Sequence, residues 1–345
     1  MSDIKKVNVS FVGSDEYYDI SIGSNLIEQF NELFDVSQYS KVFVLSDDKV
    51  APLHADKLPV GAKLITIKSG ESAKNIETIQ QIWQQLFDGG ADRKSLLINL
   101  GGGVIGDLGG FVASTYMRGI DFINIPTTLL AAADASIGGK TGFNFAGIKN
   151  LLGTFAQPKA VIIDVDAFKT LDKRTFNEGF AEIIKHAAVF DEHYFAELEK
   201  LLPSPNPEQL IDILQKSSQL KADTVMADEK ESGERKLLNF GHTIGHAVES
   251  LSHEQSTPLL HGEAVAIGMV AEARLGEEAN ITSPGTVDRI ISLLSKVNLP
   301  TEIPAWAIKE KLDTKISKDK KNHGTRINWV MLGQIGSAKV DVQLD

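Results

Sequence analysis

Four of the chain's eight histidines fall between residues 242 and 261. Two sit in Asn239-Phe240-Gly241-His242-Thr243-Ile244-Gly245-His246, and a third opens His261-Gly262-Glu263. Residues four apart share a helical face, so His242 and His246 present two imidazoles to one side. Neutral imidazole is the commonest protein metal ligand. Upstream, Glu182 and Lys185 stand three apart in Ala181-Glu182-Ile183-Ile184-Lys185, placing a carboxylate and an ammonium on one face. Two imidazoles and one carboxylate with open positions form a catalytic zinc set. Spacing alone leaves its membership open, because His246 or Glu249 would serve as well. A metalloprotease motif is excluded chemically: it needs a glutamate directly after the first histidine, and Thr243 stands there.

The first half carries a different signal. Gly101-Gly102-Gly103-Val104-Ile105-Gly106 follows an apolar strand pattern, Ser95–Leu100, and opens a helix. Glycines there let the backbone approach a pyrophosphate, whose charge is met by N–H groups at the helix N-terminus. The loop comes late for a first βα unit, and the best strand-end acid, Asp47, precedes it instead of following about 20 residues later. Pro126-Thr127-Thr128 ends the next strand, where hydroxyls can meet the same ligand. Ser136-Ile137-Gly138-Gly139-Lys140-Thr141-Gly142 reads either as an anion loop or as a flexible β-hairpin.

These groups need a scaffold. Strand patterns at Lys5–Val12, Tyr17–Ile22, Lys41–Leu45, Lys63–Ile67, Ser95–Leu100, Phe122–Ile125 and Ala160–Ile163 alternate with helical ones such as Ile76–Phe87. The first two flank a Gly13-Ser14-Asp15 turn. That alternation predicts a doubly wound parallel sheet. After Leu171 helices dominate: Asn177–Phe190, Glu208–Asp223, Gly241–Ser252, Glu263–Glu278, Gly285–Lys296 and Ala305–Leu312, then a short strand, Ile327–Leu332. The expected fold is α/β: a Rossmann-like domain over residues 1–168, followed by a mainly helical domain over 169–345. The cleft between them is the default site.

Composition narrows the function. Hydrophobic residues make up 42% of the 345, so a packed core is expected. With no cysteine, any metal must be held by His, Asp or Glu. The net charge of −11 argues against nucleic acid as a partner. No apolar signal core or run of about 18 apolar residues is present, so a cytoplasmic protein with no membrane partner is expected.

Taken in order, these strings resemble the 3-dehydroquinate synthase family of sugar phosphate cyclases. The matching stretches are Gly101–Asp107, Tyr116-Met117-Arg118-Gly119, Pro126-Thr127-Thr128-Leu129-Leu130, Gly138-Gly139-Lys140-Thr141, Lys149-Asn150, Glu182–Lys185, Leu238–His246, His261-Gly262-Glu263, Asp319-Lys320-Lys321 and Ile335-Gly336. The resemblance implies a divalent metal, zinc or cobalt, on Glu182, His242 and His261. It implies NAD held by Asp47, Gly70, Glu71, Lys74, Gly102, Gly103, Val104, Ile105, Gly106, Asp107, Thr127, Thr128, Lys140, Lys149, Phe168, Lys169 and Thr170. The substrate side resembles Arg118, Asp134, Lys140, Asn150, Lys185, Lys221, Arg235, Asn239, His246 and Lys320. Catalytic roles fall on Lys140, Lys185, Glu231, Arg235 and His246, with proton acceptance on Glu231 and His246.

The implied reaction is a lyase step of the shikimate pathway. It converts 3-deoxy-D-arabino-heptulosonate 7-phosphate to 3-dehydroquinate and phosphate by transient oxidation, β-elimination, re-reduction and aldol closure. A homodimer is implied, with Arg118 reaching the neighbouring subunit's site. Arg235 and Asn239, four apart, are expected on one helical face gripping an anion. The rival readings are another cyclase, such as 2-deoxy-scyllo-inosose synthase, and a glycerol-dehydrogenase-like NAD-dependent metal oxidoreductase.

Overall fold

The computed structural model describes residues 4–11, 17–317 and 327–344. The chain divides into two compact units, Met1–Leu171 and Asp172–Asp345.

The first unit holds strands β1 (Lys5–Ser10), β2 (Tyr17–Gly23), β3 (Val42–Asp47), β4 (Lys63–Ile67), β5 (Leu96–Gly101), β6 (Asp121–Pro126), β7 (Lys140–Phe145), β8 (Ile148–Phe155) and β9 (Ala160–Asp164). Its helices are α1 (Phe30–Leu33), α2 (Ala51–His54), α3 (Ile76–Asp88) and α4 (Gly103–Thr115). Seven strands form one sheet in the order β1-β2-β9-β6-β5-β3-β4. The β1–β2 pairing is antiparallel and the remaining five are parallel. The turn expected at Gly13-Ser14-Asp15 lies outside the described residues. Successive side chains on β5 point to opposite faces, as the pleat requires. Leu97 joins Ile79, Ile82, Leu86, Leu108 and Val112 under α3 and α4. Leu96, Ile98 and Leu100 pack instead with Leu26, Phe30, Ile123 and Ile162. A parallel sheet buried on both faces explains the near-continuous apolar run Leu96–Leu100, interrupted only by Asn99.

Chain order across the sheet explains why the glycine loop comes late. Numbered from β3, the five parallel strands from β4 to β9 run 2-1-3-4-5, the flavodoxin-like order. Its switch point, where ligands bind beyond the strand ends, lies between β3 and β5. The carboxyl ends of those strands carry Asp47 and Gly101.

The stretch around Lys140 is the start of a hairpin. β7 and β8 pair antiparallel as a separate two-stranded sheet, Lys140 opposite Phe155 and Phe143 opposite Leu152. It lies against α4 because Gly110 has no side chain: a Cβ there would meet Thr141 Cγ2 at 2.4 Å.

The second unit contains α5 (Lys173–Phe190), α6 (Glu192–Leu201), α7 (Pro207–Ala227), α8 (His242–Ser252), α9 (His261–Glu278), α10 (Thr286–Lys296), α11 (Lys309–Ser317) and the antiparallel pair β10 (Trp329–Gln334) and β11 (Ser337–Val342). Two helices depart from the sequence reading, and strand β11 was not expected. The helix expected at Ala305–Leu312 begins only at Lys309, because Pro304 opens a turn closed by the Ala307 N–H (2.9 Å). Helix α6 was not expected; Asp191 caps it by accepting the Tyr194 N–H at 3.0 Å. Helices α8 and α9 cross closely. A Cβ on Gly268 would sit 1.9 Å from the Gly241 carbonyl oxygen, and one on Gly245 would sit 3.0 Å from that of Ala264. Among the described residues no helix is long and apolar enough to cross a membrane.

Candidate metal centre and nucleotide loop

Three helices of the second unit bring together groups that could hold a metal ion. Glu182 is fully buried on α5, while His242 and His261 are the first residues of α8 and α9. Glu182 Oε1 lies 3.6 Å from Nε2 of each histidine. The three donor atoms fall within 4.8 Å of one another, close enough to share one ion. The other ring nitrogens face away: His242 Nδ1 is 3.2 Å from the Phe240 carbonyl oxygen, and His261 Nδ1 is 3.1 Å from Glu249 Oε2. A proton on each Nδ1 leaves each Nε2 lone pair aimed at the position facing Glu182, the arrangement a His₂Glu site needs. Lys185 forms an ion pair with the second Glu182 oxygen. The donor set therefore fits a divalent metal.

His246 stacks edge-on to His242, ring centroids 5.0 Å apart, and lies 5.9 Å from His261. His246, Glu249 and His261 form a second possible donor set. A single imidazole cannot direct both nitrogens at one ion, however, and His261 turns Nδ1 to Glu249 and Nε2 to Glu182. In the metal-free site, burial lowers the His261 pKa, but hydrogen bonding to Glu182 and Glu249 outweighs it and raises the value to about 10, so a metal at Nε2 must displace that nitrogen's proton.

Carboxylates that the sequence reading did not single out set up these helix ends. Helix α8 begins at left-handed Gly241 (φ 79°), with no side-chain cap of its own. Fully buried Glu272 supplies that cap from α9, accepting the N–H groups of Gly241 (2.7 Å) and Ile244 (2.9 Å). Glu178 accepts the Gly262 N–H at 3.1 Å at the start of α9, and burial pushes its carboxyl up to about 7. Arg174 grips Glu263 through two 2.7 Å bonds. Glu178 stands four residues before Glu182, a readable helical spacing; nothing local marks Glu272.

The cationic groups are buried in the same unit. Lys185 (1% exposed), Lys221 (4%) and Arg235 (2%) sit on α5, α7 and the 3-10 helix Glu234–Asn239. These three elements pack against one another. Three buried cations are costly unless charges oppose them. Here the expectation of a shared Arg235–Asn239 face is corrected. A 3-10 helix turns every three residues, so positions four apart diverge. Asn239 Nδ2 donates instead to Glu231 Oε1 at 2.7 Å, and an Arg235 Nη1 bond goes to the Glu229 carbonyl. The loop between is held by Asp228, whose carboxylate accepts the N–H groups of Ser232 (2.9 Å), Gly233 (2.6 Å) and Arg235 (3.1 Å). Lys320 lies outside the described residues.

In the first unit, Gly102 caps α4 and leaves the N–H groups of its first turn at the end of β5. The α4 glycines divide by role. A Cβ on Gly109 would meet Asn99 Oδ1 at 1.8 Å, so that glycine serves packing; one on Gly106 would meet nothing within 4 Å. Val104 and Ile105 continue the turn, Ile105 turning into the core. Around it the structure gathers several expected groups. Lys74, from the turn after Gly70, pairs with Asp107; Glu71 accepts the Asn144 amide at 2.8 Å; and the Lys149 charge acts on Asp107. Asn144 Oδ1 accepts the Asn150 N–H at 2.9 Å. Asp134 lies in the helical turn Ala131–Ala135 just beyond Thr127 and Thr128. Thr128 Oγ1 accepts the Ala131 N–H at 3.1 Å. Other groups are engaged locally. Asp47 Oδ1 accepts the N–H groups of Lys49 and Val50, Lys169 pairs with Asp166 at 2.7 Å, Thr170 bonds the Ala167 carbonyl, and Phe168 is buried. Arg118 follows α4 in a turn with Met117 and Arg118 both at positive φ (50° and 70°).

Residues 64–178 match the family described as 3-dehydroquinate synthase N-terminal, and residues 179–322 its C-terminal counterpart. The chain belongs to the 3-dehydroquinate synthase family. It is 41% identical over 329 residues to 3-dehydroquinate synthase of Halorhodospira halophila, covering 94% of this chain and 92% of that one. Among solved structures, 2-epi-5-epi-valiolone synthase from Streptomyces hygroscopicus, with NAD⁺ and Zn²⁺ bound, is 27% identical with a TM-score of 0.84, covering 96% of this chain and 94% of that one. A 2-deoxy-scyllo-inosose synthase superposes with a TM-score of 0.88 at 24% identity, over 97% and 94% of the two chains, a likeness of fold.

Proposed function

We propose that this protein converts 3-deoxy-D-arabino-heptulosonate 7-phosphate to 3-dehydroquinate and phosphate, a lyase reaction of the shikimate pathway. The observation that carries the reading is one set of packed helices that bears a His₂Glu donor triad and buries Lys185, Lys221 and Arg235. A substrate with a carboxylate, a phosphate and vicinal hydroxyls calls for that combination. Residues 1–168 bind NAD through the open face at Gly102–Gly106 with Lys74, Asp107 and Lys149, and residues 169–345 bind metal and substrate. Glu182, His242 and His261 hold zinc, or cobalt in its place. When bound, NAD supplies reversible oxidation at the substrate C5 carbon, and the metal supplies Lewis acidity to its hydroxyls.

The side chains do the remaining work. Lys185, ion-paired with Glu182, offers its ammonium to a hydroxyl losing its proton beside the triad. Arg235 and Lys221 hold an anionic end of the substrate by charge-assisted bonds. His246, part of the imidazole cluster, and Glu231, oriented by Asn239, accept protons. Lys140 and Asn150 bind substrate from the hairpin.

The protein acts as a cytoplasmic homodimer in this reading. Hairpin residues Phe145, Ile148, Leu152 and Phe155 are exposed, as is Met117 beside Arg118. Ser114 at the end of α4 meets Thr154 of β8 at 2.8 Å, joining the two segments. An apolar surface of that kind marks an interface, and Arg118 at its edge can complete a partner's site. The reading is tested by separate incubations with the heptulosonate phosphate and with glucose 6-phosphate. Phosphate release from the first alone is expected; release from the second would assign the chain to a different cyclase reaction.

A further inference from the structure

Helix α8 carries His242, His246 and Glu249 at positions i, i+4 and i+7, one stripe facing the start of α9. The first contributes a metal donor and the second an imidazole beside it. Glu249 is buried, and its Oε2 lies 3.1 Å from His261 Nδ1. The opposite nitrogen of that ring lies 3.6 Å from Glu182 Oε1. His261 thus separates two carboxylates, one on the ion's side and one behind the ring. Behind His242, the Phe240 carbonyl oxygen lies 3.2 Å from Nδ1. A neutral backbone oxygen thus lies behind the Nδ1 of one imidazole and an anionic side chain behind that of the other.

We propose that Glu249 is a positioning residue for the metal, acting through His261. The inference rests on the Glu182–His242–His261 reading of the site. Accepting the Nδ1–H locks the tautomer whose Nε2 can coordinate, fixes the ring against rotation about χ2, and makes that nitrogen a stronger donor. Without the carboxylate, the ring rotates and tautomerises, and each ligation event must select one state. Carboxylates behind ligating histidines are worth about 10- to 100-fold in metal affinity.

The test measures Zn²⁺ affinity by competition with a chromophoric chelator and the visible absorption of the Co²⁺-loaded protein, for wild type, Glu249→Ala, Glu249→Gln and His242→Ala. Glu249→Ala is expected to bind Zn²⁺ about 10- to 100-fold more weakly, while its Co²⁺ spectrum keeps the same coordination number. Glu249→Gln preserves the side-chain volume and an acceptor oxygen, and is expected to recover most of that loss. It also serves if Glu249→Ala fails to fold, since it should then stay within about 5-fold of wild type yet weaker. Folded Glu249 variants with wild-type Zn²⁺ affinity, alongside a His242→Ala variant that loses metal, would overturn the positioning role alone. A Glu249→Gln spectrum showing a lost ligand would overturn it too, making Glu249 a direct donor. Retention of metal by His242→Ala would overturn the underlying site instead.

Discussion

Glu272 offers the sharpest perturbation of the metal centre from outside it. Its carboxylate is fully buried on α9 and accepts two backbone N–H groups, Gly241 at 2.7 Å and Ile244 at 2.9 Å, at the end of α8 that starts with His242. Hydrogen bonds to a charged group contribute about 1.5–3 kcal/mol each. Glu272→Ala removes both and strands two buried donors, so it should destabilise the protein by about 4 kcal/mol. Glu272→Gln keeps one acceptor oxygen but turns its NH₂ toward the second N–H; about 2 kcal/mol is expected. Because the freed turn carries His242, zinc affinity should fall with stability. Urea unfolding gives the first quantity and chelator competition the second. A Glu272→Ala protein within about 0.5 kcal/mol of wild type, the range of ordinary surface substitutions, with unchanged zinc affinity, would refute the claim that this carboxylate holds the α8 start in place.

Other expectations follow from the same geometry. His242→Ala and His261→Ala should lose bound zinc by elemental analysis, whereas His246→Ala should keep it and turn over more slowly; equal metal loss in His246→Ala would point to the second donor set. Glu178 has a folded pKa of about 7 against an ordinary 4.5, so its contribution is fully present below pH 4.5 and is lost as pH rises through 7. Metal-free protein should accordingly lose up to about 3 kcal/mol of stability across that window, and Glu178→Gln should flatten the profile in pH-dependent urea unfolding. Arg118→Ala should weaken substrate binding while retaining zinc. Mixed with Lys185→Ala under conditions of subunit exchange, it should regain activity; no gain would make Arg118 serve its own chain.

Much of the candidate site could be read from local spacing. His242 and His246 four apart, Glu182 and Lys185 three apart, and the glycine run after a buried strand are patterns in which a few neighbouring residues suffice to mark a candidate. What escaped the sequence was non-local. Glu272 caps α8 from another helix, Glu249 meets His261 across the helix pair, and Asp228 gathers the N–H groups of a loop. None of these partnerships has a sequence signature, because each depends on how α8, α9 and their neighbours cross. Arg235 and Asn239 show the converse error: their four-residue spacing predicted a shared face that a 3-10 turn does not give. In the fold, the periodic strands and long helices were legible. Helix α6, the late start of α11 and the partner strand β11 were not, since turns and tertiary contacts decide them. The late glycine loop became intelligible only from the order of strands in the sheet.

The central claim is that metal and NAD act together in a reaction without net redox change. It is tested most directly by incubating the protein with 3-deoxy-D-arabino-heptulosonate 7-phosphate, NAD⁺ and Zn²⁺, following released phosphate and NADH absorbance together. Stoichiometric phosphate and 3-dehydroquinate, dependent on both NAD⁺ and metal and with no lasting rise in NADH, is the predicted result. NADH accumulating in proportion to substrate consumed, without phosphate release, would contradict the account and make the protein a dehydrogenase.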